Sequence, residues 1–267
     1  MSKDFQVIEL SIDEDALKNA SNRLRNQLVG CMHAHNELTV LNRLLIFSMN
    51  NTADGELHDS AQSVQMWCLL QVLAAKLVET WKMLNDRFLK ANPEDSALKN
   101  LKPDHKASLN WLKDYFGVDL LNKENALTII RDKTAFHYDK LNLEQAVNHL
   151  AAKENNVYLA EHPANSLYYV GSALVFRAAF AMIADKARGP TDRSHGERTG
   201  EGARIATEDA QHANWHLHML LYGLIENLLE EMLARPLNTL EQVRINIVDA
   251  PDPEVVGLPT FIDIGSA

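Results

Sequence analysis

The stretch from Asp13 to Leu45, DEDALKNASNRLRNQLVGCMHAHNELTVLNRLL, decides the fold class. Leu17, Ala20, Leu24, Leu28, Cys31, Leu38, Leu41 and Leu45 recur three or four positions apart, and His35 fills the one gap. That spacing places them on one face of an α-helix. Glycine and proline are missing apart from Gly30, so the stretch predicts a helix of roughly 45–50 Å at about 1.5 Å per residue. Asn50 to Gly55 then reads as a turn. A second stripe follows, with Leu57, Ala61, Val64, Cys68, Val72, Ala75, Val78, Trp81, Leu84 and Phe88. It stops at Asn92-Pro93, because the residue before a proline avoids the α region. Two long helices joined by a short turn form an antiparallel hairpin.

Working outward, the segments shorten. Pro103 suits a first helical turn, and Gly117 ends the helix that carries Leu109, Leu112 and Phe116. Asn122 is read as the cap of a helix through Ala126, Leu127, Ile130 and Thr134. Asn142, with Gln145 three positions later, resembles a capping box for Leu143 to Ala152. Val157 to Ala160 reads as a short extended piece, and Asn165 to Asp185 as a buried helix. Arg188 to Gly202 holds four of the eleven glycines and is read as a mobile loop. Ala203 to Arg235 forms a last long helix closed by Pro236, and Val243, Ile245 and Ile247 a short strand before an irregular end. The expected class is all-α: an antiparallel helical bundle with a long N-terminal helical hairpin, extra helices and a short irregular C-terminal tail. Residues 1–155 are read as the bundle and 156–267 as helices packed on it, in one continuous domain.

Composition narrows the function. Twenty-six basic against 36 acidic residues leave a net charge of −10, so the bulk field repels polyanions. Any nucleic-acid contact must come from a local patch, such as one assembled across a dimer. Cys31 and Cys68 are too few for a disulfide scaffold or a four-thiolate zinc site. The residues after Met1 contain no apolar signal core. The longest apolar run, Leu167 to Ala184, is broken by Arg177 and suits a buried helix better than a membrane span. The expectation is a soluble, cytoplasmic chain without a membrane partner. With no glycine-rich phosphate loop, Gly-x-Ser-x-Gly or dinucleotide fingerprint, no cofactor is implied.

The segment LTIIRDKTAFHYD, Leu127 to Asp139, carries the chemistry that stands out. Arg131 is followed by the polar Asp132, then by His137 six positions on, then by Tyr138. This pattern resembles the signature of the HEPN superfamily (higher eukaryote and prokaryote nucleotide-binding): Arg, a polar residue, a short spacer and His, in an all-α setting. The resemblance implies a metal-independent endoribonuclease. His137 would move a proton at the ribose 2′-OH or the leaving 5′-oxygen, a task suited to imidazole. Arg131 would bind the scissile phosphate through its planar fork and stabilise charge growing in the transition state. Asp132 would orient the guanidinium, and Tyr138 would hydrogen-bond phosphate or hold His137. On a continuous helix, positions six apart are rotated by about 240°. Either the backbone turns near Phe136, or each Arg131 works with the His137 of a second chain. The resemblance implies that homodimer, whose shared cleft would gather Lys133 and Lys140 from both chains. It also implies RNA as substrate and a role as toxin or defence effector, neutralised by a protein antitoxin. The alternative within the same family is a non-catalytic module that binds nucleotide, RNA or protein.

Two other constellations are weaker. His212 and His216 lie four apart on one helix face, with Asp209 a turn earlier, which is metal-ligand spacing. No His-Glu-x-x-His accompanies them, and a polar helix face is the plainer reading. Cys31 and His35 share a face, but that face is the apolar stripe, so both are read as core residues. Trp67, Trp81, Trp111 and Trp215 are read as core or interface anchors.

Overall fold

The computed structural model describes residues 5–50, 54–119, 121–136, 141–150, 154–189, 193–248, 250–252 and 255–262. The chain is a helical bundle, about 70% helix, with one small two-stranded sheet. Strand β1 (Phe5–Leu10) precedes a short helix α1 (Glu14–Asn19) and the long α2 (Asn22–Ser48). Helix α3 (Glu56–Leu84) continues through a wider π-type turn over Asn85–Lys90. There follow α4 (Ser96–Lys99), α5 (Pro103–Phe116), α6 (Ala126–Ile130), α7 (Leu143–Asn148), α8 (Tyr169–Arg188) and α9 (His195–Leu233). Strand β2 (Gln242–Ile247) pairs antiparallel with β1, Phe5 opposite Ile247 and Leu10 opposite Gln242.

The hairpin of α2 and α3 forms as its stripes require. Leu24, Leu28, Cys31, Leu38 and Leu45 meet Leu70, Leu73, Leu77, Val78, Trp81 and Leu84 in one buried cluster. Helix α9, 39 residues long and so about 58 Å at 1.5 Å per residue, packs along α8, α2 and α5 and adds Ala206, Ala210, Leu217, Leu221 and Leu228 to that cluster. Among the described residues no helix is long and apolar enough to cross a membrane.

Several local expectations shift for identifiable reasons. The first helix is divided at Ala20, because the Ser21 hydroxyl accepts the Leu24 N–H at 3.2 Å and starts α2 afresh. Asn125 rather than Asn122 caps α6, accepting the Thr128 N–H at 2.8 Å, while Asn122 turns the chain by accepting from Glu124 N–H. Asn142 does cap α7, which ends at Asn148. The larger correction concerns residues 188–202. Arg188 is the last residue of α8, and Ser194 and Glu197 form a reciprocal capping box that starts α9 at His195. Gly196, Gly200 and Gly202 therefore sit within a helix, contrary to the mobile-loop expectation. Gly202 has a packing reason: an ideal Cβ there would lie 1.8 Å from the Phe180 carbonyl oxygen.

Candidate functional site

The motif begins where α6 emerges from the core. Asn125 fixes its start, and Ala126, Leu127, Thr128, Ile129 and Ile130 are all buried. Arg131 is the first residue to reach the edge. From there the helix widens to a π-type turn over Arg131–Phe136, where the Thr134 hydroxyl donates to the Ile130 carbonyl at 2.7 Å. Wide turns of this kind concentrate at functional sites, because they re-aim side chains that a regular helix would rotate away.

The Arg131 side chain is 21% exposed and held from two directions. Its Nη1 donates to Asp132 Oδ1 at 2.7 Å, and its Nη2 lies 2.7 Å from Glu79 Oε1 on α3. Burial pushes the Glu79 carboxyl up, but the ammonium of Lys82, 2.9 Å from the same oxygen, and the Arg131 guanidinium together hold it below its ordinary range. A depression of about 310 Å³ borders this group, lined by Gln71, Val72, Ala75, Lys76 and Glu79 of α3 and by Ala135 of the wide turn. Lys133, on the same turn, is half-buried. His137, Tyr138 and Lys140 lie outside the described residues. Glu79 was not legible as part of this group. It occupies an ordinary polar position on α3, and nothing local to it points to a residue 52 positions away.

The second constellation is divided among separate partners. Asp209 accepts the Tyr115 hydroxyl at 2.6 Å, and burial lifts its carboxyl above the ordinary range while that hydrogen bond pulls the other way. His216 stacks on Trp111 at 4.4 Å between ring centres, with its Nδ1 3.1 Å from Ser108 Oγ. His212 is exposed and stands edge-on to Trp111 at 6.3 Å. Among the described residues no group of three His, Cys, Asp or Glu side chains could hold a metal ion. The helical spacing is present, but the tertiary contacts turn its members to Trp111, Ser108 and Tyr115 instead. Cys31 is fully buried, and burial pushes its thiol up to about 12 despite the opposing charge of Arg87. It is a core residue, whereas His35 is half-buried and meets the His218 ring edge-on at 4.8 Å.

Three histidines give the fold a pH dependence of definite sign. His195 is lowered by burial, then by the charges of His149, Arg198 and Arg177, against the opposing Asp185. Burial also lowers His35 and His216, followed by the charge of His218 and of His212 respectively. A base depressed in the native state binds fewer protons there than in the unfolded chain. Their contribution is full above about pH 6.5, the unfolded value, and is lost as pH falls through the lower native values. Denaturation midpoints are expected to drop between about pH 6.5 and pH 5, with a shallower slope in His195→Gln; equal midpoints across that window would refute the assignment.

Comparison of the chain with protein-family models, with curated proteins and with solved structures finds no match.

Proposed function

We propose that the protein is a metal-independent endoribonuclease of the HEPN type, with Arg131, Asp132 and His137 as its working residues. The observation that carries this reading is the placement of Arg131. It is the first residue of the π-type turn over Arg131–Phe136, with its guanidinium oriented by Asp132 at 2.7 Å. In the proposed reaction His137 takes the proton of the ribose 2′-OH, whose oxygen attacks the adjacent phosphorus. The bond to the 5′-oxygen breaks, that oxygen takes a proton from water as it leaves, and the protonated His137 returns its proton to the solvent. The products are a 2′,3′-cyclic phosphate and a 5′-hydroxyl. Arg131 stabilises the growing charge on the phosphoryl oxygens. Lys133, Tyr138 and Lys140 complete the substrate contacts. A homodimer sharing one cleft, and a role as toxin or defence effector with a neutralising protein partner, belong to the same proposal.

One observation favours the second reading, a non-catalytic binding module. Arg131 already faces two carboxylates, Glu79 and Asp132, which oppose its stabilising the charge that grows on a phosphoryl group in a transition state. Incubating the purified chain with a mixed RNA pool in EDTA separates the two. Cleavage yielding cyclic-phosphate ends, reduced by about 10²-fold or more in His137→Ala, supports the nuclease. RNA retained but uncut by the wild-type protein supports the module. Equal cleavage by wild type and His137→Ala removes the motif's claim.

A further inference from the structure

Helices α2 and α9 bring two imidazoles together edge to face. The rings of His35 and His218 have centres 4.8 Å apart, with 70° between their planes. Each has a nitrogen close to the same oxygen, the Thr39 hydroxyl: His218 Nε2 at 3.1 Å and His35 Nδ1 at 3.5 Å. All three residues are half-buried, and Thr39 and His218 line a half-open cleft of about 470 Å³. None of the three lines the depression beside Arg131.

The hydrogen bonding at this point is one proton short. His218 Nδ1 lies 2.8 Å from the backbone carbonyl oxygen of Asn214, which can only accept. Nδ1 therefore carries the ring proton, and in the neutral ring Nε2 presents a lone pair. The Thr39 hydroxyl has a single proton, which it donates to the His35 carbonyl oxygen at 2.8 Å. Nothing is left to donate between Thr39 Oγ1 and His218 Nε2, so lone pair faces lone pair. A cation placed among these atoms removes the conflict. A backbone carbonyl holding the far ring nitrogen is also how metal-ligating histidines are oriented.

We propose that His35 and His218 bind one exchangeable divalent transition-metal ion of the zinc type, bridging α2 to α9, with the Thr39 hydroxyl and water completing its shell. The distances fit such an ion. Tetrahedral bonds of about 2.0–2.1 Å place ligand atoms about 3.3–3.4 Å apart, and the observed 3.1 and 3.5 Å bracket that separation. A second close histidine pair, His149 and His195, is stacked at 25°, so its in-plane lone pairs do not converge on one point. The donors set the class. Among the described residues no third His, Cys, Asp or Glu joins His35 and His218, which leaves water in the remaining positions and makes the ion exchangeable. Imidazole nitrogen suits zinc and copper, whereas magnesium and calcium require oxygen ligands.

The test titrates the whole chain with Zn²⁺ at about pH 7.5 and follows the imidazole nitrogens by long-range ¹H–¹⁵N NMR. His35 Nδ1 and His218 Nε2 are expected to shift together and to saturate with a dissociation constant of about 100 µM or tighter, while Mg²⁺ shifts neither. His35→Gln and His218→Gln each weaken binding about tenfold or more, and His212→Gln leaves it unchanged. The amide spectrum of each variant reports its fold, and the wild-type titration decides the proposal even where a variant fails to fold. The proposal is overturned if neither ring shifts up to about 2 mM Zn²⁺. It is equally overturned if the two rings respond independently, each variant leaving the other ring's affinity intact, or if His212 and His216 take the ion instead.

Discussion

Gly202→Ala is expected to destabilise the protein by about 3 kcal/mol or more, although alanine is the better helix former by roughly 1 kcal/mol. Gly202 lies on α9 where that helix meets the backbone of α8 at Phe180. The added Cβ would fall 1.8 Å from the Phe180 oxygen and 2.5 Å from its carbonyl carbon, and neither atom belongs to a side chain that can swing aside. The two helices must therefore separate. The buried layer between them, including Phe180, Ile183 and Ala206, loosens with them. Gly200, two residues earlier on the same helix, meets no atom within 4 Å of an ideal Cβ. Gly200→Ala is therefore expected to stabilise by about 0.5–1 kcal/mol. Urea unfolding of the two variants checks the pair. A Gly202→Ala midpoint at or above wild type would sink the close-approach account, because helix propensity alone predicts a gain at both positions.

Trp81→Ala should cost about 3–5 kcal/mol, the range for truncating a buried aromatic. Trp81 is 1% exposed, stacks on Phe116 at 6.0 Å between ring centres, and donates its Nε1–H to the Gly117 carbonyl at 2.9 Å. The substitution opens a cavity between α3 and α5 and leaves the carbonyl at the end of α5 without that donor. At about 2–4 °C per kcal/mol for a chain of this size, the melting temperature should fall by roughly 6–20 °C. Trp81→Phe keeps most of the apolar volume and loses the hydrogen bond, so a much smaller loss is expected. If both variants cost the same, the hydrogen bond rather than the filled volume would carry the residue's contribution.

The sequence determined those features whose physics closes within a few residues. The stripe from Leu24 to Leu45 and the one from Ala61 to Phe88 required two long helices, since only a 3.6-residue period brings those side chains to one face. Gly117 ends α5 at φ 79°, Asn142 caps α7, and Pro103 opens α5, all through local backbone chemistry readable from residue type. Arg131 and Asp132, neighbours singled out in the sequence, do pair in the structure, whereas His137 lies outside the described residues.

The tertiary structure decided everything that depends on distant parts of the chain. The β1 strand is invisible locally, because its ladder comes from residues 242–247 at the other end of the chain. Reading 188–202 as a loop followed from glycine's usual cost in helices. Gly202 is instead a contact residue for α8, a requirement set by Phe180 and not by its neighbours in sequence. The carboxylate of Glu79 reaches Arg131 only because α3 packs on α6 and the wide turn. Asp209, His212 and His216 have ligand spacing along α9, yet Tyr115, Trp111 and Ser108 of α5 engage them one by one. His35 and His218 meet only where α2 and α9 lie side by side. Local hydrogen bonding and periodicity set each helix; packing between helices chose which side chains meet.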